Sequence, residues 1–594
     1  MRLAELAEAY ARLEGTSKRL ELRDILVRLI QPLKGEELAQ VLYLSQGLLR
    51  PEYEGVELGV ADALARKAVA LATSTTEAEI AHALRTSGDL GNTVEDLLQK
   101  THRLETSHPL VVGEVYHQLT QVASASGPRS QDEKVQTIVR LLARSAPQEA
   151  KYLVRFLLGK LRLGVREMTI LDALATAFTG ATKEDRVLVE NAFNLCSDLG
   201  LVAERLTEGG IDALHKIRLE VGRPIRPMLA ERSPNLSDVL DRMEGEAALE
   251  YKYDGLRIQA HVPEAGRVRL FSRRLEEIGG QFPDLTAELP RAIRRKPVIV
   301  EGECVPVDPE TDEIRPFQEV SRRRGRKHDL DRVAEEIPVA LFLFDVLLEG
   351  TQETFREPFL ERRKRLVELV GATDRIRLSE QRRVKNVADA TRFFDLAVAA
   401  GAEGVLAKSV AEGSFYRPGA RGFWWIKYKR DYTQGLADSI DGVVVGAFFG
   451  RGRRGGRYGA LLLAVYNPEL DRYESFCKVG SGFDDAQLAG LPKRLQRFEV
   501  GEKPASVVTE LEPDQWLRPG LVIEVRGAEL SLSPLHRAGT GAIRPEAGFA
   551  LRFPRFTGRY RDDKGPEEAT TTQELLELYR SQVRQATPVA ASND

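Results

Sequence analysis

The stretch Leu249-Glu250-Tyr251-Lys252-Tyr253-Asp254-Gly255-Leu256-Arg257 alternates polar and apolar residues in its first half, the period of a strand. That period sets Glu250, Lys252 and Asp254 on one face and Tyr251 and Tyr253 on the other. A lysine between two carboxylates has two readings: an ion-paired surface lysine, or a nucleophile that forms a covalent intermediate. Average residue usage yields Lys-x-Asp-Gly by chance in roughly one chain in ten of this length, so the motif alone decides nothing. A lysine at its reference pKa of about 10.4 is neutral in fewer than about one molecule in a thousand at pH 7. To attack phosphorus it must lose its proton, which a desolvated pocket with nearby positive charge favours. Lys427 and Lys429, two residues apart in Phe423-Trp424-Trp425-Ile426-Lys427-Tyr428-Lys429, are candidates for that charge, as is a divalent metal.

Other residues fit the same chemistry. Val298-Ile299-Val300-Glu301-Gly302-Glu303 reads as a strand with Glu301 and Glu303 on one face, expensive in apolar surroundings unless a cation compensates them. Glu303, and Glu403 in Ala402-Glu403-Gly404-Val405, are hard oxygen ligands of the kind that hold Mg²⁺. Phe344, in the apolar run Leu341 to Leu347, offers a flat ring on which a base could stack.

The elements that must position these residues fall into three regions. A chain of 594 residues has ample core for several domains, and its net charge of −3 leaves any nucleic-acid contact to local basic patches. Its three cysteines, far apart, suit a reducing compartment and cannot build a four-cysteine zinc site. The first fifteen residues do not read as a signal peptide, and no stretch reaches membrane-spanning length, so an intracellular, soluble protein is expected. Residues 1 to about 215 show helical spacing, as in Ile25-Leu26-Leu29-Ile30 and Val135-Ile138-Leu141-Leu142, with capping boxes at Thr76-x-x-Glu79 and Ser130-x-x-Glu133. Gly159-Lys160-Leu161-Arg162-Leu163-Gly164-Val165-Arg166 interrupts a helical pattern. It reads either as a turn with solvated charges or as a helix end whose amides hold a phosphate.

Gly222-Arg223-Pro224-Ile225-Arg226-Pro227 marks a linker into strands. From about Ser439, short strands with glycine-rich turns suggest a five-stranded barrel of OB type. Between its first two strands Arg451, Arg453, Arg454 and Arg457 lie on a glycine-rich loop suited to backbone phosphates. A helix over Glu574 to Val583 then precedes a tail of small polar residues expected to be disordered.

This constellation, in this order, resembles the covalent nucleotidyltransferases and most closely the ATP-dependent DNA ligases of the archaeal and eukaryotic replicative type. Lys252-Tyr253-Asp254-Gly255 with Arg257 matches the first motif of that family. Phe271-Ser272-Arg273, Glu301-Gly302-Glu303, Leu343-Phe344-Asp345, Glu403-Gly404-Val405 and Lys427-Tyr428-Lys429 match the next five, and Arg552-Phe553-Pro554-Arg555-Phe556 with Arg561-x-x-Lys564 matches the last. Gly88-Asp89-Leu90-Gly91 and Gly159 to Gly164 are similar to the DNA-binding domain of these ligases. One departure is Arg274, where many relatives have asparagine.

The resemblance implies an all-α DNA-binding domain over 1–218, an α+β adenylation domain with antiparallel sheets over 219–436, and an OB-fold domain with a C-terminal helix and tail over 437–594. It implies that Lys252 carries AMP as a phosphoramidate, passed to the 5′-phosphate of a nick and displaced by the 3′-hydroxyl. Glu250 would read the adenine amine, Phe344 would stack on the ring, and Arg257 and Arg273 would touch ribose and phosphates. Glu303 and Glu403 would serve Mg²⁺ (or Mn²⁺) and ribose, while Lys427 and Lys429 would hold the α-phosphate and Arg421 would join the nucleotide site. Arg552, Arg561 and Lys564 would serve pyrophosphate departure in the first step, and Arg162 and Arg166 would join the arginine loop in gripping DNA.

The expected substrates are ATP and nicked double-stranded DNA, bound by a monomer that closes round the duplex in the cytoplasm at the nucleoid, with a sliding clamp as a further partner. A capping guanylyltransferase shares the lysine motif, but Glu250 and the helical third speak against it. An NAD-dependent ligase would want a zinc module. A non-catalytic DNA clamp would have no need to hold Lys252, Glu303, Glu403 and Lys427 together.

Overall fold

The computed structural model describes all residues except 101–107, 309–313, 316, 324, 327–328, 430–438, 451–457, 528, 544, 553 and 585–594. Two compact units result, Met1–Lys429 and Arg430–Asp594. The four loop arginines from 451 to 457, and the tail beyond residue 584, lie outside the described residues.

The first unit begins with a run of helices from Leu3–Glu14 to Leu199–Leu214. Their apolar stripes meet in one core: Leu26, Leu29 and Ile30 face it from one helix, and Val135, Ile138, Leu141 and Leu142 from another. Thr76 caps its helix by accepting from the Glu79 amide, with Glu79 reaching back, as its sequence indicates. Ser130 does not cap: its helix starts at Ser130 itself, with Arg129 in the cap position and no side-chain bond there.

The chain then reaches a linker that is not loose. The Gly222 amide donates to His261 Nδ1 at 2.9 Å, and the Ile225 amide donates to Gln259 Oε1 at 2.9 Å. Burial, reinforced by Arg269, pulls the His261 imidazole down to about 3, so it accepts as a neutral ring.

Ten strands follow among the described residues: β1 (Leu229–Arg232), β2 (Ala247–Lys252), β3 (Leu256–Val262), β4 (Arg269–Ser272), β5 (Val298–Pro306), β6 (Val339–Glu349), β7 (Ile376–Leu378), β8 (Gln381–Val384), β9 (Gly404–Ser409) and β10 (Arg421–Lys429). They form two five-stranded sheets, ordered β1-β10-β9-β2-β8 and β4-β3-β5-β6-β7. Both are antiparallel except at one edge, where β1 runs parallel to β10 and β7 parallel to β6. The lysine strand β2 belongs to the first sheet and β3 to the second, so the turn Tyr253-Asp254-Gly255 carries the chain from one sheet to the other. That crossing puts Lys252 at the mouth of the cleft between the sheets.

The second unit is rich in strands: β11 (Ile440–Phe449), β12 (Tyr458–Asn467), β13 (Arg472–Val479), β14 (Glu499–Val500), β15 (Val507–Val508), β16 (Gln515–Arg526), β17 (Glu529–Ser533), β18 (Gly548–Arg552) and β19 (Arg555–Tyr560). Seven of them join one sheet, ordered β14-β16-β11-β12-β13-β15 with β19 on β16, and β17 pairs with β18. The described residues of this unit hold nine strands where the sequence suggested five; two of the additional ones, β14 and β15, are two residues each, too short to leave a period-two signal. The helix Thr572–Arg584 packs Leu575 into this core.

Candidate active site

Both sheets supply the walls of a cavity of about 420 Å³, lined by Glu250, Lys252, Asp254, Arg257, Arg273, Glu303, Phe344, Glu403, Arg421, Trp425, Lys427 and Lys429. Period two places them: Glu250 and Lys252 are alternate residues of β2, and Lys427 and Lys429 are alternate residues of β10. Arg257 on β3 stands opposite Glu303 on β5. Gly255 lets the turn sit close on β5, since a Cβ there would lie 2.5 Å from the Cys304 carbonyl oxygen and 2.7 Å from Val305 Cγ1.

Lys252 Nζ donates to Glu403 Oε2 at 2.7 Å, and Lys429 Nζ lies 2.5 Å from the same oxygen. The Glu403 amide donates to the Lys252 carbonyl at 2.8 Å, so the carboxylate is fixed from its own backbone. Burial opposes the charge on Glu403, but Lys252 and hydrogen bonding with Asp254, Lys252 and Lys429 hold its carboxyl below the usual carboxylate range. Lys252 differs from the sequence expectation. Burial alone would lower its ammonium, yet Glu403, Glu303 and Asp254 outweigh burial and raise it. The three carboxylates outweigh burial, so the Lys252 side chain rests as a protonated, ion-paired ammonium. The depression expected for Lys252 falls on Lys427 instead, which burial and the cations Arg232, Lys252, Lys429 and Arg273 pull down to about 8.

Glu303 is the acid most in need of a cation. Burial pushes its carboxyl up to about 7, relieved by Lys252 and Arg257 and aggravated by Glu403 and Asp254. No group of three His, Cys, Asp or Glu with metal-holding geometry occurs among the described residues. Glu303 and Glu403, both lining the same cavity, nevertheless fit a Mg²⁺-type ion that would complete its shell with substrate phosphates and water.

Glu301, on the same face as Glu303, turns out to be structural. It accepts from Arg257 Nη2 at 2.7 Å and from the Tyr416 hydroxyl at 2.8 Å. Arg257 is thereby held between the Phe344 and Trp425 rings, its guanidinium carbon 5.4 Å from each centroid. Arg273 and Arg421 are exposed at the rim.

Sequence reasoning gave no role to Lys408, Gln381 or Trp425. Lys408 Nζ lies 2.8 Å from Glu250 Oε2, and Gln381 Nε2 donates to Glu250 Oε1 at 3.0 Å. The available signal was a lysine inside the apolar strand Val405-Leu406-Ala407-Lys408, which must be paired if buried.

The remaining predicted residues lie elsewhere. Arg162 is exposed, has φ of 60° and pairs with Asp89 at 2.8 Å, while Arg166 stands in the N-cap position of the helix Glu167–Phe178 without a side-chain cap bond. The glycine at 159 follows the C-terminus of Pro147–Leu157, an end of carbonyls rather than of amides. In the second unit Arg561 and Lys564 converge on Asp441 Oδ2 at 2.5 and 2.7 Å, and Arg552 pairs with Glu529 at 2.5 Å.

Three family descriptions match the chain: DNA ligase N terminus over residues 2–175, ATP dependent DNA ligase domain over 227–429, and ATP dependent DNA ligase C terminal region over 454–564. The chain is 45% identical to DNA ligase 2 of Thermofilum pendens over 590 residues, 98% of each chain. It is 44% identical to the DNA ligase of Staphylothermus marinus, covering 98% of this chain and 99% of that one. The DNA ligase of Thermoplasma volcanium is 41% identical over 99% of both. Among solved structures, Pmar-Lig_Pre. shares the fold with a TM-score of 0.55 at 18% identity, over 94% of this chain and 99% of that one.

Proposed function

Since the chain belongs to the ATP-dependent DNA ligase family, we propose that Lys252 is the residue that carries AMP while the enzyme seals nicks in duplex DNA. The observation that carries this is the meeting of Lys252, Lys429 and Glu403 at one oxygen, inside a cavity that Glu250 and Phe344 also line.

In the first step the neutral Lys252 amine attacks the α-phosphorus of ATP. A P–N bond forms as the P–O bond to pyrophosphate breaks; one ammonium proton leaves to solvent before attack and a second leaves the nitrogen as the phosphoramidate forms. The Lys252–Glu403 ion pair opposes that loss and has to be weakened as substrate enters. Mg²⁺ or Mn²⁺ would bind at Glu303 and Glu403 and supply charge stabilisation for the phosphates. Lys427 and Lys429 hold the α-phosphate oxygens, where negative charge concentrates. Glu250 and Phe344 orient the adenine, Arg257 and Arg273 the ribose and phosphates, with Arg421 beside them.

AMP then moves to the 5′-phosphate of the nick, and the 3′-hydroxyl attacks that phosphate and releases AMP. Arg552, Arg561 and Lys564 orient the departing pyrophosphate, and Arg162 and Arg166 grip the DNA backbone. We read 1–218, 219–436 and 437–594 as the DNA-binding, adenylation and OB-type domains. The working form is a monomer inside the cell at the nucleoid, with a sliding clamp as its further partner. No helix among the described residues is long and apolar enough to cross a membrane.

Incubation with labelled ATP, GTP or NAD tests the reading. A covalent adduct is expected with a strong preference for ATP, and none with Lys252→Ala. An alanine variant that still became adenylated would sink the assignment.

A further inference from the structure

Lys408 is fully buried, with a side-chain exposure of 0%, and its ion-pair partner Glu250 is exposed by 2%. Its ammonium donates to the Phe344 backbone carbonyl at 3.1 Å and lies 2.8 Å from Glu250 Oε2. Around it stand three rings, Phe344, Phe359 and Trp425, with centroids 4.8, 4.7 and 4.6 Å from Nζ. The ring faces offset only part of what the ammonium loses from water, and burial still lowers the Lys408 ammonium from its ordinary value. One nitrogen therefore ties together the two residues that our reading assigns to the nucleobase, the carboxylate of Glu250 and the ring-bearing Phe344.

We infer that Lys408 is a positioning residue that sets base specificity, holding Glu250 as an oriented, acceptor-only carboxylate beside the stacking ring. The inference rests on the pocket being the ATP site. An ionised carboxylate has acceptors and no donor. It suits a base that offers an exocyclic amine, as adenine does, and it repels a base that offers a carbonyl oxygen in that place, as guanine does. Gln381 occupies Oε1 from the other side, so the plane of the carboxylate is fixed at both oxygens. Take the ammonium away and Glu250 is a buried carboxylate without its cation. It then loses the contact that orients it and no longer presents a fixed pair of acceptors to the base.

The test is self-adenylation kinetics of the full chain with labelled ATP and GTP, for wild type, Lys408→Met and Lys408→Arg. For Lys408→Met we expect KM for ATP to rise at least tenfold, the loss falling on KM rather than kcat, and the preference for ATP over GTP to narrow at least tenfold. Lys408→Arg, which keeps the charge, should recover most of the preference. If Lys408→Met does not fold, Lys408→Gln removes the charge, keeps a donor for Glu250, and is read by the same two quantities. Equal losses with ATP and GTP, or a fall in kcat at unchanged KM, would make Lys408 a packing residue and overturn the inference. A wild-type chain whose AMP is not on Lys252 would overturn the underlying pocket reading instead, and peptide mapping of the adduct separates the two failures.

Discussion

Lys427 and Lys252 sit in one pocket and are pushed in opposite directions, Lys427 down to about 8 and Lys252 up. Neighbouring charge makes the difference. Lys252 faces Glu403, Glu303 and Asp254, whereas Lys427 faces burial and cations. The folded pKa of Lys427 lies below its unfolded value, so the folded chain holds fewer protons from about 8 up to the ordinary lysine range. Its contribution to stability therefore grows as pH rises through that window and is lost as pH falls through about 8. Phosphate binding runs the other way, because an anion prefers the charged ammonium. An ATP analogue with an α,β-methylene link cannot lose pyrophosphate, so its affinity reads binding alone. We expect calorimetry to show that affinity weakening above pH of about 8, by at most about tenfold per unit for one linked proton. The same titration should be flat in Lys427→Met. A slope that survives that substitution would assign the proton to another group.

At the scale of elements, the active site depends on one turn. Tyr253-Asp254-Gly255 passes between the sheets, and Gly255 lies against the backbone of β5 where no side chain fits. A carbonyl oxygen 2.5 Å from the would-be Cβ cannot rotate away as a side chain could. Gly255→Ala should therefore cost about 1–3 kcal/mol, the usual cost of overpacking, and slow adduct formation by displacing Lys252. Denaturant midpoints and adduct rates measure both; unchanged values would mean that the turn can shift without consequence.

The same strands explain what the sequence disclosed. Lys252, Glu250, Lys427, Lys429 and Glu303 were legible because period-two alternation assigns a face without knowledge of the partner strand. The proton on Lys252 was misjudged because its balance is set by Glu403 and Glu303, whose distances only the two-sheet arrangement fixes. Lys408 carried no role in the sequence because its partner Glu250 is on β2, a neighbour in space but remote along the chain. Ser130 shows the limit of local patterns: a capping box needs the residue just outside the helix, and here the helix starts one residue earlier than the pattern requires.

At the scale of the molecule, our reading gives the pyrophosphate-releasing step groups of its own. Arg561 and Lys564 share Asp441 Oδ2 in the second unit, and Lys252 belongs to the first. Only the first step expels pyrophosphate. A nick that already carries AMP on its 5′-phosphate has none to release. Arg561→Ala with Lys564→Ala should therefore slow self-adenylation severely and leave sealing of a pre-adenylated nick far less affected in single-turnover assays. The double variant also leaves Asp441 without its cations, so melting must be compared in parallel. Equal losses in both assays would reassign the pair to DNA binding or to stability of the second unit.

The account as a whole turns on Lys252 as the carrier of AMP. Its most direct measurement is a pulse of ATP labelled in the α-phosphate, followed by a chase with unlabelled nicked duplex and peptide mapping at each time. The account predicts label on the Lys252 peptide first, then on the 5′ end of the nick, then in AMP as the nick closes. Label on another peptide, or label on Lys252 that the nick cannot discharge, would contradict it.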